Sequence, residues 1–285
     1  MRLVSFGEDY RVGVVEGDEL YDITDVIASS MSGISPMRQV IARWAQLRPE
    51  VERILASLRP QPLRSVTLRA PLPDPPKILG AGVNYRAHAA EMGDLDPVYQ
   101  HGIYGIGVYV CASSAVTDPQ GEIVIPAFYR DRRVDHEIEL AVIIGMPGRY
   151  IRREEAEAYV FGYTGLLDIT LRGKELTSFR KSFDTFKPMG PMIVTRDELP
   201  DPQNVRLRLW VNEELRQDEV TGAMVYGIPE LLEFISARMT LQPGDIVTTG
   251  TPAGVGPLKG GDVVRAQFEG IGEMLLRVRY SDEIG

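Results

Sequence analysis

The stretch RRVDHEIELAVIIGM, residues 132–146, decides how the chain folds. Leu140, Ala141, Val142, Ile143 and Ile144 form an unbroken apolar run, the pattern of a strand buried on both faces. Glu137 and Glu139 stand at its entrance, two residues apart. On a strand, positions i and i+2 project from one face, so the two carboxylates sit side by side. Like charges so placed repel and resist burial. They are either a solvated strand start or a pair that binds a cation.

The rest of the composition bounds the answer. The chain has 285 residues, 44% of them hydrophobic and 25% charged, an ordinary globular balance with ample material for a core. Its net charge of -9 and lack of a basic run argue against nucleic acid as a partner. A single cysteine, Cys111, rules out an internal disulfide and all but rules out a cysteine-based zinc site. The N-terminus is polar and strand-like, without the apolar core of a signal peptide. No stretch approaches the roughly 20 apolar residues of a membrane span. A soluble cytoplasmic protein without a membrane partner is expected.

Residues 1 to about 30 alternate in hydropathy and read as short antiparallel strands. Residues 36–58 have helical spacing, interrupted at Pro49. The proline-rich segment RPQPLRSVTLRAPLPDPPK places a boundary near residue 70, giving a small N-terminal domain (1–70) and a catalytic domain (71–285). Beyond it, KILGAGV and ELAVIIG read as strands. NYRAHAAEMG reads as a short helix with Asn84 as N-cap and Gly93 as stop. VRLRLWVNEELR alternates and turns at NEE, and IPELLEFISARM is amphipathic. Strands and helices do not alternate regularly, so a β-rich α+β fold is expected rather than a doubly wound sheet.

Three further features bear on chemistry. Asp168 lies between Leu167 and Ile169, where an isolated acid is costly to bury. With Glu137 and Glu139 it makes a facial set of hard oxygen ligands suited to Mg²⁺ or Mn²⁺; alone it reads equally well as a turn aspartate. His88 and Glu91 are three residues apart on the expected helix, a carboxylate-oriented imidazole able to act as general base, or else a surface pair. Arg172 and Lys181 offer cations for a substrate carboxylate or an enolate, or are solvated loop charges. In TTGTPAGVG (248–256), the backbone and the Thr251 hydroxyl suit an anionic ligand, with a structural turn as the alternative. His136 points away from the glutamates on a strand and reads as structural.

Taken together, GVNYRAHAAEMG, DHEIELAVIIG, AEAYVFGYTGLLDIT, KSFDTFKPMGPMIVTRDELPDPQN, LQPGDIVTTGTPAGVG and LKGGDVVRAQFEGIG resemble, in order, the motifs of the fumarylacetoacetate hydrolase family, over roughly residues 76 to 279. The resemblance implies a mixed β-roll catalytic domain, a small N-terminal domain and a homodimer. It implies Mg²⁺ or Mn²⁺ at Glu137, Glu139 and Asp168, and a His88–Glu91 dyad on a helix that orders over substrate. It also implies a substrate or enolate contact at Lys181 and a substrate-contacting Thr251. The chain departs from the family pattern on the substrate side. Cys111 stands where many members have Lys, Leu167 where many have Asn, and Gly173 and Glu175 where many have Asp and Gln.

The family acts on small 2-oxo acids and their enols. The expected function is therefore metal-dependent hydrolysis of a C–C bond in an acylpyruvate-like or β-diketo acid, through an enolate. Decarboxylation or tautomerisation at the same site is the alternative, and a non-catalytic metal-binding relative a second. The Gly-rich segment 90–110 is expected to be a lid.

Overall fold

A computed structural model describes residues 1–27, 33–91 and 101–282. The fold is mixed and strand-rich. Its largest sheet runs, in spatial order, through Gln61–Pro62, Glu19–Asp22, Arg11–Glu16, Arg2–Phe6, Lys187–Thr195, Val160–Leu167, Ile138–Ile144, Ile246–Thr248, Ile78–Ala81 and Val108–Cys111. A five-stranded sheet, beginning with the hairpin Arg206–Val211/Glu214–Val220, packs against it. A three-stranded sheet holds Val134–His136 between Thr170–Leu171 and Gly256–Leu258. Among the described residues, no helix is long and apolar enough to cross a membrane.

The apolar run at 140–144 has the expected cause. Leu140, Val142 and Ile144 enter one hydrophobic core, with Leu207, Leu209, Leu231 and Ile235. Ala141 and Ile143 enter a second on the other face, with Met37, Val40, Leu47 and Val51. Helices and a second sheet cover both faces, so every position of Ile138–Ile144 is buried.

Several local expectations change. Pro49 does not interrupt the helical segment; the break falls at Arg43, between helices Pro36–Ala42 and Trp44–Leu55, and Pro49 lies inside the second. Asn84 is not a helix cap. Its amide donates to Tyr226 O (2.9 Å) and Thr249 O (2.8 Å) and its oxygen accepts from Tyr226 N (2.9 Å), stitching three loops together. Gly93 lies outside the described residues, as does the 92–100 part of the expected lid; 101–110 contains the short helix Gly102–Ile106 and the start of strand Val108–Cys111. The hairpin turns at Asn212 and Glu213, both at positive φ (51° and 70°). The boundary expected near residue 70 falls just after strand Leu68–Arg69. The strands before it join the large sheet through the pairing of Arg2 with Val194 and Leu3 with Ile193.

Candidate metal centre and active site

Antiparallel register brings the three acids together. Ile138 pairs with Leu167, and Asp168 N donates to Glu137 O at 2.8 Å, so Asp168 faces Glu137 across the ladder. Residues opposed in this way share a face, and Glu139 shares it by the two-residue period. Ligand atoms of Glu137, Glu139 and Asp168 all lie within 4.8 Å of one another, and all three residues are buried. Glu137 sits where the chain leaves the three-stranded sheet for the large one, between strands Val134–His136 and Ile138–Ile144.

Cations surround two of the acids. Arg172 donates to Asp135 and Glu137, both at 2.6 Å. Lys181 Nζ reaches Glu137 (2.8 Å), Asp168 Oδ2 (2.5 Å) and Thr170 (2.7 Å). The Tyr109 hydroxyl donates to the same Asp168 oxygen at 2.5 Å. Lys187 Nζ lies 2.5 Å from Asp168 Oδ1, an ion pair outside hydrogen-bond angles. The loop-charge alternative for Arg172 and Lys181 therefore falls away.

Glu139 differs from its neighbours. It accepts a hydrogen bond from Gly250 N at 2.8 Å, with the Thr248 side chain also beside it, and forms no ion pair among the described residues. Burial, followed by the Asp168 charge, pushes its carboxyl up to about 8. Burial also works against ionisation of Asp168, but Lys181 and Lys187 outweigh it and hold that carboxyl below its ordinary range. Burial opposes the Lys181 charge too, and Asp168, Glu137 and Glu139 override it, raising its pKa. A buried all-carboxylate set with one member lacking a cation fits a hard divalent ion.

Helix Arg86–Glu91 places His88, 5% exposed, on the wall of the same cavity. His88 Nδ1 lies 3.3 Å from Glu91 Oε2. Nδ1–H donating to that carboxylate leaves Nε2 as the basic nitrogen. Glu91 is itself anchored, because its Oε1 accepts from Gly254 N at 2.7 Å. Gly254 has φ +96°, and a Cβ there would lie 1.8 Å from the Arg216 carbonyl oxygen. Gly254→Ala is accordingly expected to cost on the order of 2 kcal/mol of stability in denaturant titration and to loosen Glu91.

Thr251 lies on the cavity wall. Its hydroxyl donates to Ile138 O (2.8 Å) and accepts from Gln217 (2.8 Å), so it brings no free hydroxyl proton to the cavity wall it helps form. His136 faces away from the glutamates as read. Its Nδ1 lies 3.1 Å from Gln217 Oε1, and burial lowers its pKa. Gln217 also binds Ile138 N and Pro252 O, tying the 248–256 turn to the acid-bearing strand. Spacing offered no sign of Gln217, whose partners are far away in sequence. Lys187 did leave a sign, a charge opening the apolar strand KPMGPMIVT.

The departures at 173 and 175 share one neighbour. Arg132 crosses over Gly173 to pair with Glu175 (2.5 and 2.9 Å), and a Cβ on residue 173 would come within 1.9 Å of its guanidinium. Leu167 is fully buried in the core opposite Ile138. The cavity holds about 580 Å³, and Val83, Ile106, Tyr109 and Leu176 line it beside Glu137 and Glu139. That volume suits a small organic acid.

The profile of the fumarylacetoacetate (FAA) hydrolase C-terminal family matches residues 77–279. Maleylpyruvate hydrolase of Aquipseudomonas alcaligenes is 36% identical, over 98% of this chain and 99% of its own length. The human mitochondrial oxaloacetate tautomerase FAHD2A is 33% identical, over 98% of this chain and 91% of its own. The crystal structure of maleylpyruvate hydrolase from Sphingobium sp. SYK-6, in complex with manganese(II) and pyruvate, superposes with a TM-score of 0.87 at 40% identity, covering 99% of this chain and 100% of the other.

Proposed function

Because the chain belongs to the fumarylacetoacetate hydrolase family, we propose that it is a divalent-metal-dependent hydrolase of an acylpyruvate-like 2-oxo acid, cleaving the C–C bond between the pyruvyl and acyl parts. One observation carries the reading. Glu137 and Glu139, two members of a buried three-carboxylate set completed by Asp168, line one cavity with a histidine oriented by a carboxylate. The carboxylate set suits enolate formation and the histidine suits activation of water. The manganese and pyruvate held by the Sphingobium enzyme support the same metal and product class.

Glu137, Glu139 and Asp168 would hold the ion. When bound, Mg²⁺ or Mn²⁺ supplies Lewis-acid polarisation and a docking point for the 2-oxo carboxylate. His88 Nε2 takes a proton from water, while Glu91 stabilises the imidazolium through Nδ1. The resulting hydroxide adds to the distal carbonyl, and cleavage yields a carboxylic acid and the enolate of pyruvate. The Lys181 ammonium, fixed beside Glu137 and Asp168, offsets the charge developing on that enolate. His88 then returns its proton to the enolate carbon.

Tautomerisation is the second reading. The oxaloacetate tautomerases, 33 to 35% identical to this chain, favour it. It needs only the enolate and a proton shuttle, without water attack. A screen of acylpyruvates with Mn²⁺, following loss of enol absorbance and release of pyruvate, tests the proposal. Pyruvate and acid in equal amounts support hydrolysis. Enol–keto exchange of oxaloacetate without cleavage of any acylpyruvate would replace it with the second reading.

A further inference from the structure

Lys187 has no part in the chemistry above, yet it is fully buried at the start of strand Lys187–Thr195. A buried ammonium needs partners for its charge and its protons. Nζ donates to the Lys181 carbonyl, lies 3.5 Å from Phe186 O and forms the 2.5 Å ion pair with Asp168 Oδ1. Asp168 is thereby held at both oxygens, with Oδ2 bonded by Tyr109 and Lys181. The Lys181 backbone is held by the same ammonium.

Cys111 is the second observation. It is 4% exposed at the end of strand Val108–Cys111. Burial raises its thiol pKa, and the Lys187 charge is the largest influence opposing that rise. The Lys187 charge thus reaches the thiol at position 111. Position 111 is also where the sequence lacks the lysine of the pattern it resembles.

We infer that Lys187 is a positioning residue for Asp168 and Lys181, supplying from strand Lys187–Thr195 the ammonium that position 111 does not carry. The inference rests on the metal reading of Glu137, Glu139 and Asp168. Lys187 has no exposed surface from which to touch substrate, so its effect passes through Asp168 and Lys181. Without it, Asp168 Oδ1 is a buried carboxylate oxygen lacking a counter-charge, free to rotate out of the ligand geometry. Partners that orient a metal ligand are typically worth about 10- to 100-fold in affinity or activity.

The test is calorimetric titration with Mn²⁺ of the wild type, Lys187→Met and Cys111→Lys/Lys187→Met, alongside metal-free melting temperatures and steady-state kinetics. Lys187→Met is expected to bind Mn²⁺ about 10- to 100-fold more weakly and to lose kcat rather than raise KM. The double variant, with an ammonium restored from the other strand, is expected to recover most of that affinity. A merely structural lysine would lower the metal-free melting temperature and leave affinity in the folded protein unchanged. Folded Lys187→Met binding Mn²⁺ as tightly as the wild type overturns the inference. So does a folded double variant no better than the single one. If Lys187→Met does not fold, Lys187→Gln, whose amide can still donate to the Lys181 carbonyl, takes its place under the same criteria. A wild type that binds no Mn²⁺ removes the metal reading itself, a result distinct from either.

Discussion

Replacing His88 with alanine is expected to lower kcat for acylpyruvate cleavage by about 10²- to 10⁴-fold, the usual contribution of a positioned general base. The ring is nearly buried and engaged through Nδ1 by Glu91, and His88 is the one histidine among the described residues that lines the cavity. His136, the nearest in sequence to the acids, is turned toward Gln217, with burial favouring its neutral form. His88 touches none of the three carboxylates, so Mn²⁺ affinity by calorimetry is expected to stay at the wild-type value. Glu91→Gln should cost less, since its amide oxygen can still accept from Nδ1–H, although the bond from Gly254 N to the second carboxylate oxygen is lost and the imidazolium is no longer stabilised by charge. Single-turnover rates with saturating metal check the comparison. Undiminished cleavage by His88→Ala would mean that water is activated elsewhere.

Replacing Glu139 with glutamine is expected to abolish metal binding and, in metal-free protein, to raise stability. The two effects have one cause. Glu139 is buried with no ion pair among the described residues, and its neutral hydrogen-bond partners do not offset that burial, so its carboxyl is a liability that a divalent cation relieves. Glutamine still accepts from Gly250 N and removes the ionisable group. The metal-free gain is on the order of 2 kcal/mol near neutral pH. Mn²⁺ at 100 times its dissociation constant should stabilise the wild type by about 2.7 kcal/mol and leave Glu139→Gln unmoved. Melting curves with Mn²⁺ and with EDTA read both. Glu137→Gln is expected to behave differently, because it deprives Arg172 and Lys181 of a partner and should destabilise the protein with or without metal. A metal-free Glu139→Gln that melts below the wild type would show that Glu139 is satisfied within the protein.

The sequence carried what local period and composition can carry. The apolar run 140–144, the same-face placement of Glu137 and Glu139, the opposite aim of His136 and the pairing of His88 with Glu91 all follow from spacing within one element. The motif order pointed to the family, which the profile match over 77–279 shows. Pro49 was misread for a related reason. Proline is a strong local signal, but helix Trp44–Leu55 buries Leu47 and Val51 in the core, and that packing outweighs the local preference.

What the sequence could not supply lies in register and in partners distant along the chain. Asp168 faces Glu137 because Ile138 pairs with Leu167, and a one-residue slip would send it to the other side of the sheet. Thr251 lies on the cavity wall, but the partners of its hydroxyl, Gln217, 34 residues earlier, and Ile138, 113 residues earlier, are brought to it only by the fold. Lys187 became a partner of Asp168, and Gly173 a gap for Arg132, only once the strands were folded together. Which residues carry charge into the core is written in the chain. Which of those charges face each other, and which carboxylate is left without a cation, is decided by strand pairing, because electrostatic energy in a low-dielectric interior depends on separations of a few ångströms that no spacing rule across 30 to 110 residues can set.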